Sequence, residues 1–159
     1  VARVSSGGFE PFLEPTDVAA VVQQVAEQQS RDPDHPPIRW QGQPVSGLLD
    51  PGRLKSALLA FAEALVWWGS DGPIEVTAAA EGARLHLVAS REAAALDAEA
   101  VEALFAARAP GTGGGSKIGL FVSRRVAEAQ GGRAWGEHRG GRLSFHLDLP
   151  LSGPTASAP

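Results

Sequence analysis

The chain has 159 residues, 43% of them apolar, with a formal net charge of -4; this suits one soluble domain with a real core. The acidic balance gives no general affinity for nucleic acid or an anionic membrane, and no apolar run reaches the ~20 residues of a membrane-spanning helix. Cysteine is absent and the four histidines, His35, His86, His138 and His146, show no metal-ligand spacing, which excludes disulfides, thiolate chemistry and a histidine metal motif.

Residues 1–15 hold Gly7-Gly8, Pro11 and Pro15 and read as an irregular lead-in. The opening residue is Val1, with no secretory leader pattern, and the chain is expected to be a piece of a longer one. Thr16 is a good N-cap with Asp17 behind it, and Val18, Val21, Val22 and Val25 recur at helical spacing, so a helix is predicted over 16–29. After a break over 30–37, Ile38-Arg39-Trp40 is a short strand, with room for another near Val45. Asp50-Pro51 is a strong helix start, and Leu54, Ala57, Leu58, Phe61, Ala62, Leu65 and Val66 give the helix over 50–68 a broad apolar face.

Residues 74–80 and 83–90 are two strands around Glu81-Gly82, a hairpin signal. Asp97 caps a helix carrying Val101, Leu104 and Phe105. A glycine-dense loop over 109–116 runs into a helix over 117–129, which Gly131-Gly132 stops. Residues 133–139 and 142–149 form a second hairpin around Gly140-Gly141, with Leu143, Phe145, Leu147 and Leu149 alternating toward the core. Residues 152–159 are a small-residue tail, expected to be flexible. Hairpins without a regular strand–helix–strand repeat predict an α/β fold: a two-layer sandwich, a mixed and mostly antiparallel sheet with helices on one face, spanning 16–151.

The glycine loop is the stretch with chemistry in it. A helix N-terminus presents free N–H groups and a positive dipole end, a ready place for phosphate. The loop fails two generic tests. A P-loop needs Gly before Lys, and Ser116 precedes Lys117. A Rossmann turn needs its glycine spacing after a strand, and Phe105 lies on a predicted helix. A plain flexible linker between two helices is the competing reading.

The order of the pieces carries more. Gly115-Ser116-Lys117-Ile118-Gly119-Leu120, an amphipathic helix, Gly131-Gly132, a strand and a final Leu149-Pro150-Leu151 resemble the second glycine box and C-terminal half of the sensor histidine kinase ATP-binding domain. Upstream, Glu14-Pro15-Thr16-Asp17-Val18 resembles the entry to that domain, and Asp50-Pro51-Gly52-Arg53-Leu54 the start of its central helix. The resemblance covers about residues 9–151 and implies a Bergerat-type (GHKL superfamily) fold. It implies ATP and magnesium as cofactors, and transfer of the γ-phosphoryl group to a histidine on a separate dimerisation domain. Partners would be that domain, of the same or another kinase, and a response regulator. None is a nucleic acid, the domain is not expected to insert in a membrane, and the resemblance implies a cytoplasmic location, as the cytosolic part of a larger, membrane-bound sensor.

The resemblance also assigns residues. Gly113, Gly115, Ser116, Lys117, Gly119 and Leu120 are the candidate phosphate loop. Lys117 replaces a family glycine and would meet a phosphate or fill an empty phosphate site with its own charge. Ala64 falls where the family's central helix carries a magnesium-ligating Asn, so no metal ligand is expected there. Glu63 precedes it and is the candidate catalytic residue, able to polarise a water or hydroxyl; a solvated helix glutamate is the competing reading. Ser90 falls near the Asp that reads the adenine amino group, and Arg91 to Leu96 contain no glycine. Losing that carboxylate would cost ~1.5–3 kcal/mol of binding, roughly tenfold to a hundredfold in affinity. Arg124 and Arg125 read as a solvated face, and of the adjacent Trp67 and Trp68 one is expected in the core and the other over the site or a partner surface. The expectation is a degenerate, regulatory (pseudokinase) domain with weak or no ATP·Mg binding; the alternative is an active kinase domain.

Overall fold

The computed structural model describes residues 11–106 and 119–151. In chain order the elements are β1 (Glu14–Asp17), α1 (Val18–Gln29), β2 (Ile38–Trp40), β3 (Ser46–Leu49), α2 (Pro51–Trp68), β4 (Asp71–Glu81), β5 (Arg84–Glu92), α3 (Ala98–Ala103), α4 (Gly119–Ala129), β6 (Arg133–Arg139) and β7 (Arg142–Pro150). Five strands form a mixed sheet in the order β2-β4-β5-β7-β6, and β1 pairs with β3 in a separate ribbon. Only β2 against β4 is parallel. The other three pairings of the large sheet are antiparallel. The expected α/β sandwich is therefore present, with the helices on one face.

Alternation decides the two faces. On β7, Leu143, Phe145, Leu147 and Leu149 are buried under the helices. On β5, Leu85, Leu87 and Ala89 do the same. Phe61 of α2 stacks on Phe145 with centroids 5.5 Å apart, and Phe105 meets the same ring edge-on at 5.9 Å. The Asp50 carboxylate caps α2 by accepting from Arg53 N at 3.0 Å, and it also accepts from Phe12 N at 2.9 Å.

The first helix departs from expectation. It begins at Val18 with Asp17 as its cap, accepting from Ala19 N at 3.1 Å. Thr16 is not the cap: it lies in β1, where its Oγ1 donates to Glu14 O at 2.8 Å. The cause is non-local. The β1–β3 ladder pairs Thr16 with Gly47 and Asp17 with Ser46, so extended pairing holds the chain to Asp17. Glu14 and Pro15 are in the same strand rather than in an irregular lead-in. The tail over 152–159 lies outside the described residues.

The far face of the sheet is polar. His86 Nε2 and His146 Nδ1 are 2.9 Å apart across β5 and β7. Trp135 of β6 stacks on His146 with centroids 4.8 Å apart, and Arg133 covers Trp135 at 4.4 Å. Glu137 Oε2 is 3.4 Å from His146 Nε2, and Glu81 Oε2 is 3.6 Å from His86 Nδ1. Burial pulls the His146 pKa below its ordinary 6.5, helped by His86 and opposed by Glu137. The imidazole is then neutral in the folded chain where the unfolded chain already binds a proton, so acidification below about pH 6.5 removes stability. His146→Gln is expected to flatten the dependence of melting temperature on pH between about 7.5 and about 5.5. An unchanged slope would assign it to other groups.

Candidate functional site

A groove of about 530 Å³ crosses the middle of α2, bounded by the end of α1 and by the first turn of α4. Ser56, Leu59, Ala60, Glu63 and Val66 of α2 form its floor. These positions recur three and four apart, so they share one side of the helix. Gly119, Val122 and Ser123 of α4 form one wall, and Gln29 and His35 the other. Glu63 is half-buried in this groove.

Glu63 and Gly119 both line this groove. Leu120 is 8% exposed and belongs to the core. Gly113, Gly115, Ser116 and Lys117 lie outside the described residues. Ala64 is partly buried and packs against the hydrophobic core with a methyl group. Ser90 is not in the groove. It stands on the polar face of the sheet, where Arg142 Nη2 donates to its Oγ at 3.2 Å.

Two basic residues were expected on a solvated face, and for Arg124 this is corrected. Its Nε donates to Ala134 O at 3.0 Å, its Nη2 donates to Glu102 Oε1 at 3.0 Å, and its guanidinium lies 4.1 Å from the Phe105 ring centroid. Arg124 therefore ties α3, α4 and β6 together, and its hydrogen bond holds the Glu102 carboxyl below the usual range. The partners come from two other segments, 102–105 and β6, which helix periodicity cannot show. Arg125 is exposed. Of the tryptophans, Trp68 packs against the core and Trp67 is 50% exposed, which matches the expected division.

Sequence reasoning missed Ser56, Ser123, Gln29 and His35. Ser56 had a legible signal, since it lies seven residues before Glu63 on one helix face. His35 had none, because it comes from the break after α1, where its Nδ1 donates to Pro36 O at 2.7 Å.

ATP·Mg can be tested against these donors. Magnesium takes oxygen ligands in octahedral geometry. At the position where the resemblance places a ligand, the alanine methyl of residue 64 supplies none. Glu63 is the carboxylate of α2 nearest in sequence, and it opens into the groove. The residues described do not fit the implied metal site.

No protein-family model matches the sequence, and no curated protein matches it. Solved structures do match. Full-length ShkA in complex with AMPPNP superposes with a TM-score of 0.79 at 27% identity, over 91% of this chain and 32% of that one. The present chain therefore spans about a third of ShkA. The mycobacterial sensor histidine kinase MprB gives 0.75 at 18% identity over 89% of this chain and 99% of that one. The nucleotide-free catalytic domain of the histidine kinase ThkA gives 0.76 at 16% identity over 90% and 97%. With these likenesses spanning nearly all of the chain, the domain has the fold of the sensor histidine kinase catalytic (ATP-binding) domains it resembles.

Proposed function

We propose that this is a degenerate histidine kinase ATP-binding domain with weak or no ATP·Mg binding, acting as a regulatory pseudokinase module. One observation carries the reading: Ala64 offers a methyl packed against the core where the metal ligand should stand. Its partner would be a histidine-bearing dimerisation domain of the same or another kinase, with a response regulator downstream, all in the cytoplasm. Val66 and Trp67 at the end of α2 are 40% and 50% exposed, and they suit contact with such a partner. Among the described residues no helix is long and apolar enough to cross a membrane.

Thermal melting with and without millimolar ATP or ADP plus magnesium tests this. A ligand that binds only the folded state at about 1,000 times its Kd stabilises it by about 4 kcal/mol. No shift is expected here. A clear upward shift with micromolar affinity would overturn the reading.

The rival reading has its own support in the groove. Glu63 faces a space walled by Gly119, the last glycine of the second box. That arrangement suits an active domain that binds ATP and passes a phosphoryl group to a histidine elsewhere. It requires ATP-dependent phosphorylation of a supplied dimerisation domain, abolished by Glu63→Gln.

A further inference from the structure

We infer that Arg91, rather than Ser90, stands where the family resemblance calls for a base-reading carboxylate, and that its guanidinium closes that position to adenine. The inference rests on the proposed reading and adds a second, independent lesion at the opposite end of α2 from its cap.

The phase of β5 is the first observation. Leu85, Leu87 and Ala89 are 0%, 0% and 1% exposed and point to the helices. A strand alternates, so the next side chain on that face is Arg91. Its register partner on β7 is Leu143, which is fully buried, whereas Ser90 pairs with Ser144 on the far face. Ser90 is further engaged there by Arg142, whose Nη2 is 3.6 Å from Glu75 Oε1.

The second observation is what Arg91 holds. Its Nε donates to Gly72 O at 2.9 Å and its Nη1 to Leu65 O at 3.2 Å. Leu65 is in the last turn of α2, directly after Ala64. The helix dipole favours a cation at this end, and Leu65 O, which already accepts from Gly69 N at 2.9 Å, takes the guanidinium as a second donor. Gly69 makes room: a Cβ there would lie 2.6 Å from Arg91 Cδ. The side chain is therefore seated against the end of α2, on the layer where the helices lie.

Chemistry then sets the consequence. A carboxylate accepts from an exocyclic amine, while a guanidinium only donates. An adenine amino group brought to this position would find a donor facing a donor. A base carrying a 6-oxo group in place of the 6-amino group presents an acceptor instead. With Arg91 in place, whatever purine preference the domain retains is turned away from adenine.

The test uses calorimetric titration of ATP and of inosine triphosphate, each with magnesium, on wild type, Ala64→Asn and Ala64→Asn/Arg91→Asp. The double variant is expected to bind ATP at least tenfold more tightly than Ala64→Asn alone, with no such gain for the inosine nucleotide. Ala64→Asn with Arg91 retained is expected not to prefer ATP. A folded double variant that gains nothing, or that gains equally for both nucleotides, overturns the inference. So does a preference of Ala64→Asn for ATP, and this arm needs no change at Arg91. Arg91→Gln replaces Arg91→Asp if the aspartate, placed beside the carbonyls of α2, prevents folding. Tight ATP binding by the wild type would instead refute the degenerate reading, and it is scored separately.

Discussion

Phe145→Ala is expected to lower the unfolding free energy by about 3–5 kcal/mol, the range for deleting a fully buried phenylalanine. Phe145 is 0% exposed and sits on β7, with β5 on one side and β6 on the other. Its ring is the point where α2 and the segment after α3 meet the sheet, through Phe61 and Phe105. Deleting it removes the transfer energy of the ring, two aromatic contacts and the support for both neighbours. A domain of this size has about 5–15 kcal/mol in total, so the loss is a large part of it. Urea denaturation followed by circular dichroism measures the change. A loss below about 1 kcal/mol would mean that the surrounding side chains collapse fully into the space, contrary to close packing. The effect also reaches the groove. Phe61 fixes the roll of α2 on the sheet, and that roll places Glu63 in the groove and Ala64 against the core.

Most of this frame was legible in the sequence because it is written in local patterns. Helix caps, alternation and glycine turns place α2, α3, β4 through β7 and the hairpins within a few residues of the observed bounds. What escaped detection was set by distant partners. Thr16 has the chemistry of an N-cap, but pairing with Gly47 held it in a strand. Arg124 has the spacing of a solvated helix position, but Glu102, Phe105 and Ala134 converge on it from other elements. The site was legible only in part. Glu63 and Gly119 were named from the order of the pieces and do share a groove. Ser90 was placed by counting toward a glycine box that contains no glycine. One residue of offset in a strand exchanges the two faces, and Ser90 lies on the face away from the helices.

The Gly131-Gly132 pair shows the same division and leads to the second large effect. A helix stop was predicted there, and a Schellman motif is present: Gly132 N donates to Ala127 O at 2.8 Å and Gly131 N to Glu128 O at 3.1 Å. Gly131 has φ of 82°, the conformation that this cap demands. Gly132 is needed for a different reason, which no local rule contains. A Cβ on it would overlap the carbonyl oxygen of Asp148 and lie 3.0 Å from its carbonyl carbon and from Leu149 Cδ2. Strand β7 cannot yield easily, because it is paired on both edges and Arg84 Nε holds Asp148 Oδ1 at 2.8 Å. The helix must give way instead. Gly132→Ala is therefore expected to cost about 2–3 kcal/mol, as an overpacked site does, against about 1–2 kcal/mol for the left-handed strain of Gly131→Ala. Both follow from equilibrium unfolding of the two variants. Gly131→Ala proving the more costly would remove the close approach to β7 as the reason for the second glycine. A displaced α4 would also move Gly119 and Ser123, which wall the groove opposite His35, so amide shifts at those residues in Gly132→Ala report the coupling between the helix stop and the site.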